Sequence, residues 1–209
     1  MVDLKTKQPE VKTPSANYDD HDYWTNITMA HTKCAAKTFA TQFETIKKMV
    51  DLAEEAIKNG NKVLFFGNGG SAADSQHIAA EMAVKLKDER PPIAALALSL
   101  DSSALTATAN DFGFDQIYQR QVRALGYAGD LAVGLSTSGN SDNIINGLKK
   151  ARRMGMKTVG WSGKTGGKMN AHCDLMLLIE ETDPGRIQEM HITMGHIFVG
   201  MLERRLGLV

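Results

Sequence analysis

The sequence carries no surplus of charge: 24 Lys and Arg stand against 24 Asp and Glu. A protein that grips nucleic acid or a membrane surface ordinarily shows a broad positive field, and the balanced charge gives no argument for one, leaving room only for a local patch, so neither is an expected partner. Cysteine is scarce. Cys34 and Cys173 have no paired or metal-type spacing and read as two reduced thiols, packed as small apolar groups in a cytoplasmic protein. Long apolar runs are missing as well, since nothing approaches the roughly 18 residues of a membrane span. The first twenty residues, MVDLKTKQPEVKTPSANYDD, lack the apolar stretch of a secretory signal.

What remains is an ordinary globular composition, 43% apolar over 209 residues, enough for one sizeable domain and a short appendage. Residues 1–19 are polar, of mixed charge and interrupted by Pro9 and Pro14, and are expected to form a mobile tail; 20–209 are expected to form a single domain. From Asp20 to Asn59 the pattern is helical, as one bent helix or two. Ala36, Phe39, Phe43, Ile46, Val50, Ala53 and Ile57 recur at three- and four-residue intervals, and Asn59-Gly60 supplies a stop. Beyond Gly60, strand, loop and helix alternate. The expected strands are 62–67, 93–99, 131–136, 157–162 and 174–180, mostly continuous apolar runs of the kind buried on both faces. Helices are expected over 71–87, 102–125, 141–154 and 184–206. The fold class is α/β: a three-layer α/β/α sandwich with a five-stranded parallel sheet, preceded by N-terminal helices.

Ligands of such sheets bind where the carboxyl ends of the strands meet the next loop. Two of those loops stand out, GNGGS (67–71) and STSGNS (136–141). Glycine permits close backbone approach, hydroxyls add donors, and a helix start adds unpaired N–H groups, which together cradle an anion such as a phosphate monoester. The plainer reading is that Ser and Gly build turns and caps, and it weakens when two such loops occur in one sheet. A dinucleotide site is a poorer match. It wants an acidic residue ending the second strand about 20 positions on, whereas Asp88 and Glu89 precede that strand and Asp101 lies too far along.

His77 and Glu81 follow the first loop four residues apart, so they share one helical face. Gln188 and His196 lie about 80° apart around the last helix and are able to face one site. His, Glu, Gln and His make a plausible ligand set for zinc or a similar divalent ion, although such a His–Glu pair is more often an ordinary surface or half-buried pair. His191 reads as a packing residue. Asp111, in ANDFGFD, reads as either a helix cap or a substrate contact.

The segments GNGGSAADSQHIAAEM, ANDFGFD, GDLAVGLSTSGNSDNI, GKTGGKM and RIQEMHITMGH occur in an order that resembles the sugar isomerase (SIS) domain family, and within it the phosphoheptose isomerases. The likeness covers about residues 20–206. It implies a homotetramer with active sites near subunit contacts, and the isomerisation of sedoheptulose 7-phosphate to D-glycero-D-manno-heptose 7-phosphate, the first step toward surface-glycan heptose. By the same likeness Asn68, Gly69 and Gly70 touch substrate with Ser71 close by, Asn110 and Asp111 contact the sugar, and Ser136, Thr137, Ser138 and Ser141 hold the phosphate. His77, Glu81, Gln188 and His196 match the zinc positions, one Zn2+ per subunit, with Glu81 and Gln188 also at the substrate. Glu81 is the implied base on carbon and His196 its acid/base partner. Some relatives instead bind the bacterial replication initiator as non-catalytic tetramers, but they lack the Glu and the final His that stand here at 81 and 196. An isomerase or sensor of another sugar phosphate is the remaining alternative. One departure stands at the head of the last helix, where Pro184-Gly185 precedes RIQE and offers no side chain at 185 to reach a substrate.

Overall fold

A computed structural model describes residues 19–209, so the expected 1–19 tail lies outside the described residues except for Asp19. Asp19 caps α1 (Asp20–Thr41), its side chain accepting from the His21 N–H. The chain breaks at Gln42 and continues as α2 (Phe43–Lys58), so the N-terminal pattern resolves into two helices. Only half of the expected apolar stripe faces a core. Ile46, Val50 and Ala53 are buried, whereas Ala36, Phe39 and Phe43 are exposed, and α1 instead buries Cys34 and Thr38.

The strands β1 (Val63–Gly67), β2 (Ala95–Ala97), β3 (Leu131–Leu135), β4 (Lys157–Gly163) and β5 (Leu175–Ile179) pair in parallel in the order β2-β1-β3-β4-β5. Every residue of β1 and β3 is buried, as continuous apolar runs require of central strands. β2 is a three-residue edge strand with Leu96 partly in solvent.

Alternation along β1 sorts the core into two layers. Val63 and Phe65 face α2, α3 (Gly70–Ala83) and α7 (Pro184–Arg205). Leu64 and Phe66 face α5 (Ile117–Leu125) and α6 (Asp142–Arg153), with Leu105 of α4 (Ser102–Phe112) packed at the margin. The expected 102–125 helix is therefore two helices, separated by Gly113 and a short 3-10 turn. Strand order reverses between β1 and β3, and the crevice at their carboxyl ends is bounded by the two polar loops.

Candidate active site

The helices after β1 and β5 lie side by side and run in the same direction. A Cβ on Gly70 would meet Gln188, one on Gly195 would meet Ile78, and one on Gly200 would meet Leu86, so the two numberings rise together. This places His196 of α7 against His77 of α3, with their Nε2 atoms 3.0 Å apart. Glu81, one turn on from His77, brings Oε1 to 3.4 Å from the same His77 nitrogen. One donor atom from each of His77, Glu81 and His196 lies within 4.8 Å of the others. The second carboxylate oxygen of Glu81 is buried without a hydrogen-bond partner. Two imidazole nitrogens that close, beside a carboxylate with an unused oxygen, fit a divalent cation of the zinc type.

Gln188 stands two turns before His196, about 12 Å along the axis of α7. Its amide lies where a Cβ on Gly70 would sit, 2.6 Å from Nε2, so the glycine admits it. Gly69 opens α3 with φ of 54°, and no side chain caps that helix start. Ser71 is buried beneath the loop, its carbonyl accepting from the Ser75 hydroxyl at 2.8 Å.

The second loop gathers hydroxyls. Ser136 Oγ is 3.0 Å from Ser141 Oγ and 3.4 Å from Ser138 Oγ, with Thr137 between them in sequence. Ser141 occupies the N-cap of α6, yet its side chain makes no capping bond, so turn-building does not account for it. A reciprocal amide pair ties the loops together. Asn68 Nδ2 donates to Asn143 Oδ1 at 2.9 Å, and Asn143 Nδ2 donates back to Asn68 Oδ1 at 2.8 Å. Beneath them the buried Tyr118 hydroxyl donates to the Gly67 carbonyl. Asn143 and Tyr118 escaped the sequence reading, because a supporting amide inside a helix and a lone tyrosine carry no spacing signal.

Asn110 and Asp111 are exposed in the last turn of α4, where Asn110 Nδ2 donates to Asp111 Oδ1 at 2.8 Å. Asp111 is not a helix cap, since it lies inside α4 and the N-cap positions of the next two helical segments are held by Gly113 and Gln116. Asp74, one turn before His77, was also unremarked in the sequence. Burial pushes its carboxyl up to about 6, with the His77 ring a smaller opposing influence, and its Oδ2 has no partner.

The model of the SIS domain matches residues 28–163. The phosphoheptose isomerase of Aliarcobacter butzleri (strain RM4018) is 49% identical over 179 residues, covering 86% of this chain and 95% of that protein. The chain belongs to the phosphoheptose isomerases of the SIS domain family. A solved phosphoheptose isomerase from Neisseria gonorrhoeae superposes with a TM-score of 0.83 at 37% identity, over 88% of this chain and 98% of that one. A second, from Francisella tularensis, gives a TM-score of 0.87 at 28% identity, over 90% and 100% respectively. The five-stranded parallel sheet and its two helical layers are the SIS fold.

Within this isomerase the cluster of His77, Glu81 and His196 is held from behind. The buried Arg90 guanidinium donates to the main-chain carbonyls of Glu81 and Met82, each at 2.8 Å, and its Nε donates to Glu203 of α7 at 2.7 Å. The last turn of α3 is thus tied to α7 just past Glu81.

Proposed function

We propose that the protein converts sedoheptulose 7-phosphate to D-glycero-D-manno-heptose 7-phosphate, feeding ADP- or GDP-heptose for surface glycans. Family membership supports an isomerase of phosphorylated sugar. The observation that carries the reading is the Glu81 carboxylate, with one oxygen unpartnered, set beside two imidazoles at the sheet edge that also carries the hydroxyl loop.

Aldose–ketose isomerisation moves one proton between adjacent carbons through an enediol and needs no redox cofactor. Glu81 takes the proton from one carbon and returns it to the next, while His196 carries a proton between the two oxygens. His77, Glu81, Gln188 and His196 would hold one Zn2+ per subunit. There such an ion would supply Lewis acidity toward the carbonyl oxygen and would lower the cost of enediolate charge. Ser136, Thr137, Ser138, Ser141 and the uncapped start of α6 hold the phosphate, and Asn68, Gly69 and Gly70 border the sugar. Asn110 and Asp111, exposed and hydrogen-bonded to one another, meet the substrate or a neighbouring subunit. At Gly185 the sugar loses a side-chain contact, so selectivity at that end rests on other groups.

The enzyme acts as a cytoplasmic homotetramer with its sites near subunit contacts; no helix among the described residues is long and apolar enough to cross a membrane. The deciding experiment is a coupled assay on sedoheptulose 7-phosphate with metal analysis of the same samples. Turnover should fall at least about 100-fold in both Glu81→Gln and His196→Ala, the scale of lost acid–base help. Full activity in Glu81→Gln would falsify the mechanism.

A further inference from the structure

A second feature of the phosphate end is not explained by the serine loop itself. β4 ends at Gly163, whose N–H donates to the Thr137 carbonyl at 3.0 Å. The next residue, Lys164, has φ of 50°, alone among the described non-glycine residues in the left-handed region. Its N–H is shared between the carbonyls of Ile179 at 2.9 Å and Glu181 at 3.2 Å, which fixes the turn to the end of β5. Glycine sits in that region without strain, and Gly163, Gly166 and Gly167 surround the position, yet a lysine occupies it.

The turn is locked to the serine loop. The Met169 N–H donates to the Gly139 carbonyl at 2.9 Å and the Lys168 N–H to Asn140 Oδ1 at 3.1 Å. A Cβ at Gly139 would fall 2.0 Å from the Gly166 carbonyl oxygen, so the two backbones touch. Between them and the head of α7 lies a cavity of about 240 Å3, lined by Thr137, Ser138, Asn140, Lys164, Thr165 and Thr182 among others. Lys164 is the one charged residue in that lining. The volume is below that of a pocket for a whole ligand, roughly 300–1,000 Å3, and suits one end of a molecule.

We infer that Lys164 supplies the positive charge of the phosphate site, its ammonium completing from the β4 side a cradle that the serine loop builds from uncharged donors alone. The inference rests on the reading of 136–141 as the phosphate loop. A phosphate monoester at neutral pH carries close to two negative charges; hydroxyls and N–H groups orient it, and an ammonium offsets part of its charge. Lys164 lines the cavity from an exposed position, so its long stem is free to turn the ammonium toward an anion bound there.

Two measurements on the full chain test this. Titration calorimetry with inorganic phosphate compares the wild type with Lys164→Gln, Lys164→Arg and Lys164→Gly. Dissociation constants should rise about 10- to 100-fold in the Gln and Gly variants, as for a lost charge-assisted hydrogen bond, and stay within about threefold in Arg. The Gly variant should melt at or above the wild-type temperature, since it relieves the left-handed strain, which separates lost charge from lost folding. Steady-state kinetics on the sugar phosphate should show the same rise in KM with kcat within about threefold. Phosphate affinity within about twofold of wild type in folded Lys164→Gln overturns the proposal, as does a wild type that binds no phosphate at millimolar concentration. A wild type that binds phosphate but fails to isomerise, with Lys164→Gln binding more weakly, overturns the isomerase reading and leaves the lysine in its role.

Discussion

His191 precedes His196 by five residues on α7 and has an unrelated role. It is wholly buried, its ring tilted over Trp161 at 5.8 Å between centroids, and neither ring nitrogen has a side-chain partner. Burial pushes it down to about 4, against a weaker upward pull from the Ser162 backbone. The fold therefore holds the neutral ring, while the unfolded chain protonates it below about 6.5. Its contribution is complete above that value and is lost as pH falls toward 4. Urea unfolding at pH 7 and pH 5 should show the wild type losing about 2 kcal/mol more than His191→Leu. At Gly70 the atoms nearest an added methyl group belong to the flexible end of Gln188. Gly70→Ala should fold normally, displace that amide and lower kcat/KM by at least about tenfold; unchanged kinetics would remove Gln188 from the site. The shared face of His77 and Glu81 was legible from their spacing, but spacing alone favoured an ordinary pair, and the roles proposed for them came from the family resemblance. Asn143, Tyr118 and Asp74 were not legible, since their roles depend on what the fold brings opposite them.

Among the elements, α3 has the firmest anchor at its end. Arg90 and Glu203 are both buried, at 0% and 3% side-chain exposure, and the guanidinium also takes up carbonyls of the last turn. Removing one partner strands a charge: Arg90→Ala should cost about 3–5 kcal/mol in chemical denaturation, and the double variant Arg90→Met, Glu203→Leu should recover much of it. Equal stability of the single and double variants would show that removing the stranded Glu203 charge brings no relief, against a stranded buried charge as the source of the loss. The strands were readable because burial on both faces leaves them uniformly apolar. The same logic misjudged α1, whose Phe39 continues the apolar stripe of α2 in sequence. The break at Gln42 interrupts that register, and the side of α1 that packs on α7 is marked by Cys34.

For the whole molecule, the exposed aromatic and apolar side chains of α1, Tyr23, Trp24, Met29 and Phe39, are at least half in solvent on a single chain. Subunit contacts in the proposed tetramer would cover such a surface. Light scattering should return about four times the 22.8 kDa chain mass, and Trp24→Asp should shift the population to smaller species. Persistence of a monomer at micromolar concentration would contradict the assembly.

The balanced charge of the chain has a kinetic consequence. α3, α6 and α7 all begin at the carboxyl edge of the sheet, so beside the ammonium proposed for Lys164 the attraction offered to an anion is that of helix ends, fading within a turn. With no net field beyond the roughly 8 Å Debye length, the substrate reaches the enzyme by unguided collision and is recognised only on arrival. Productive encounters should therefore be nearly indifferent to salt, with kcat/KM varying by less than about threefold across a tenfold range of ionic strength.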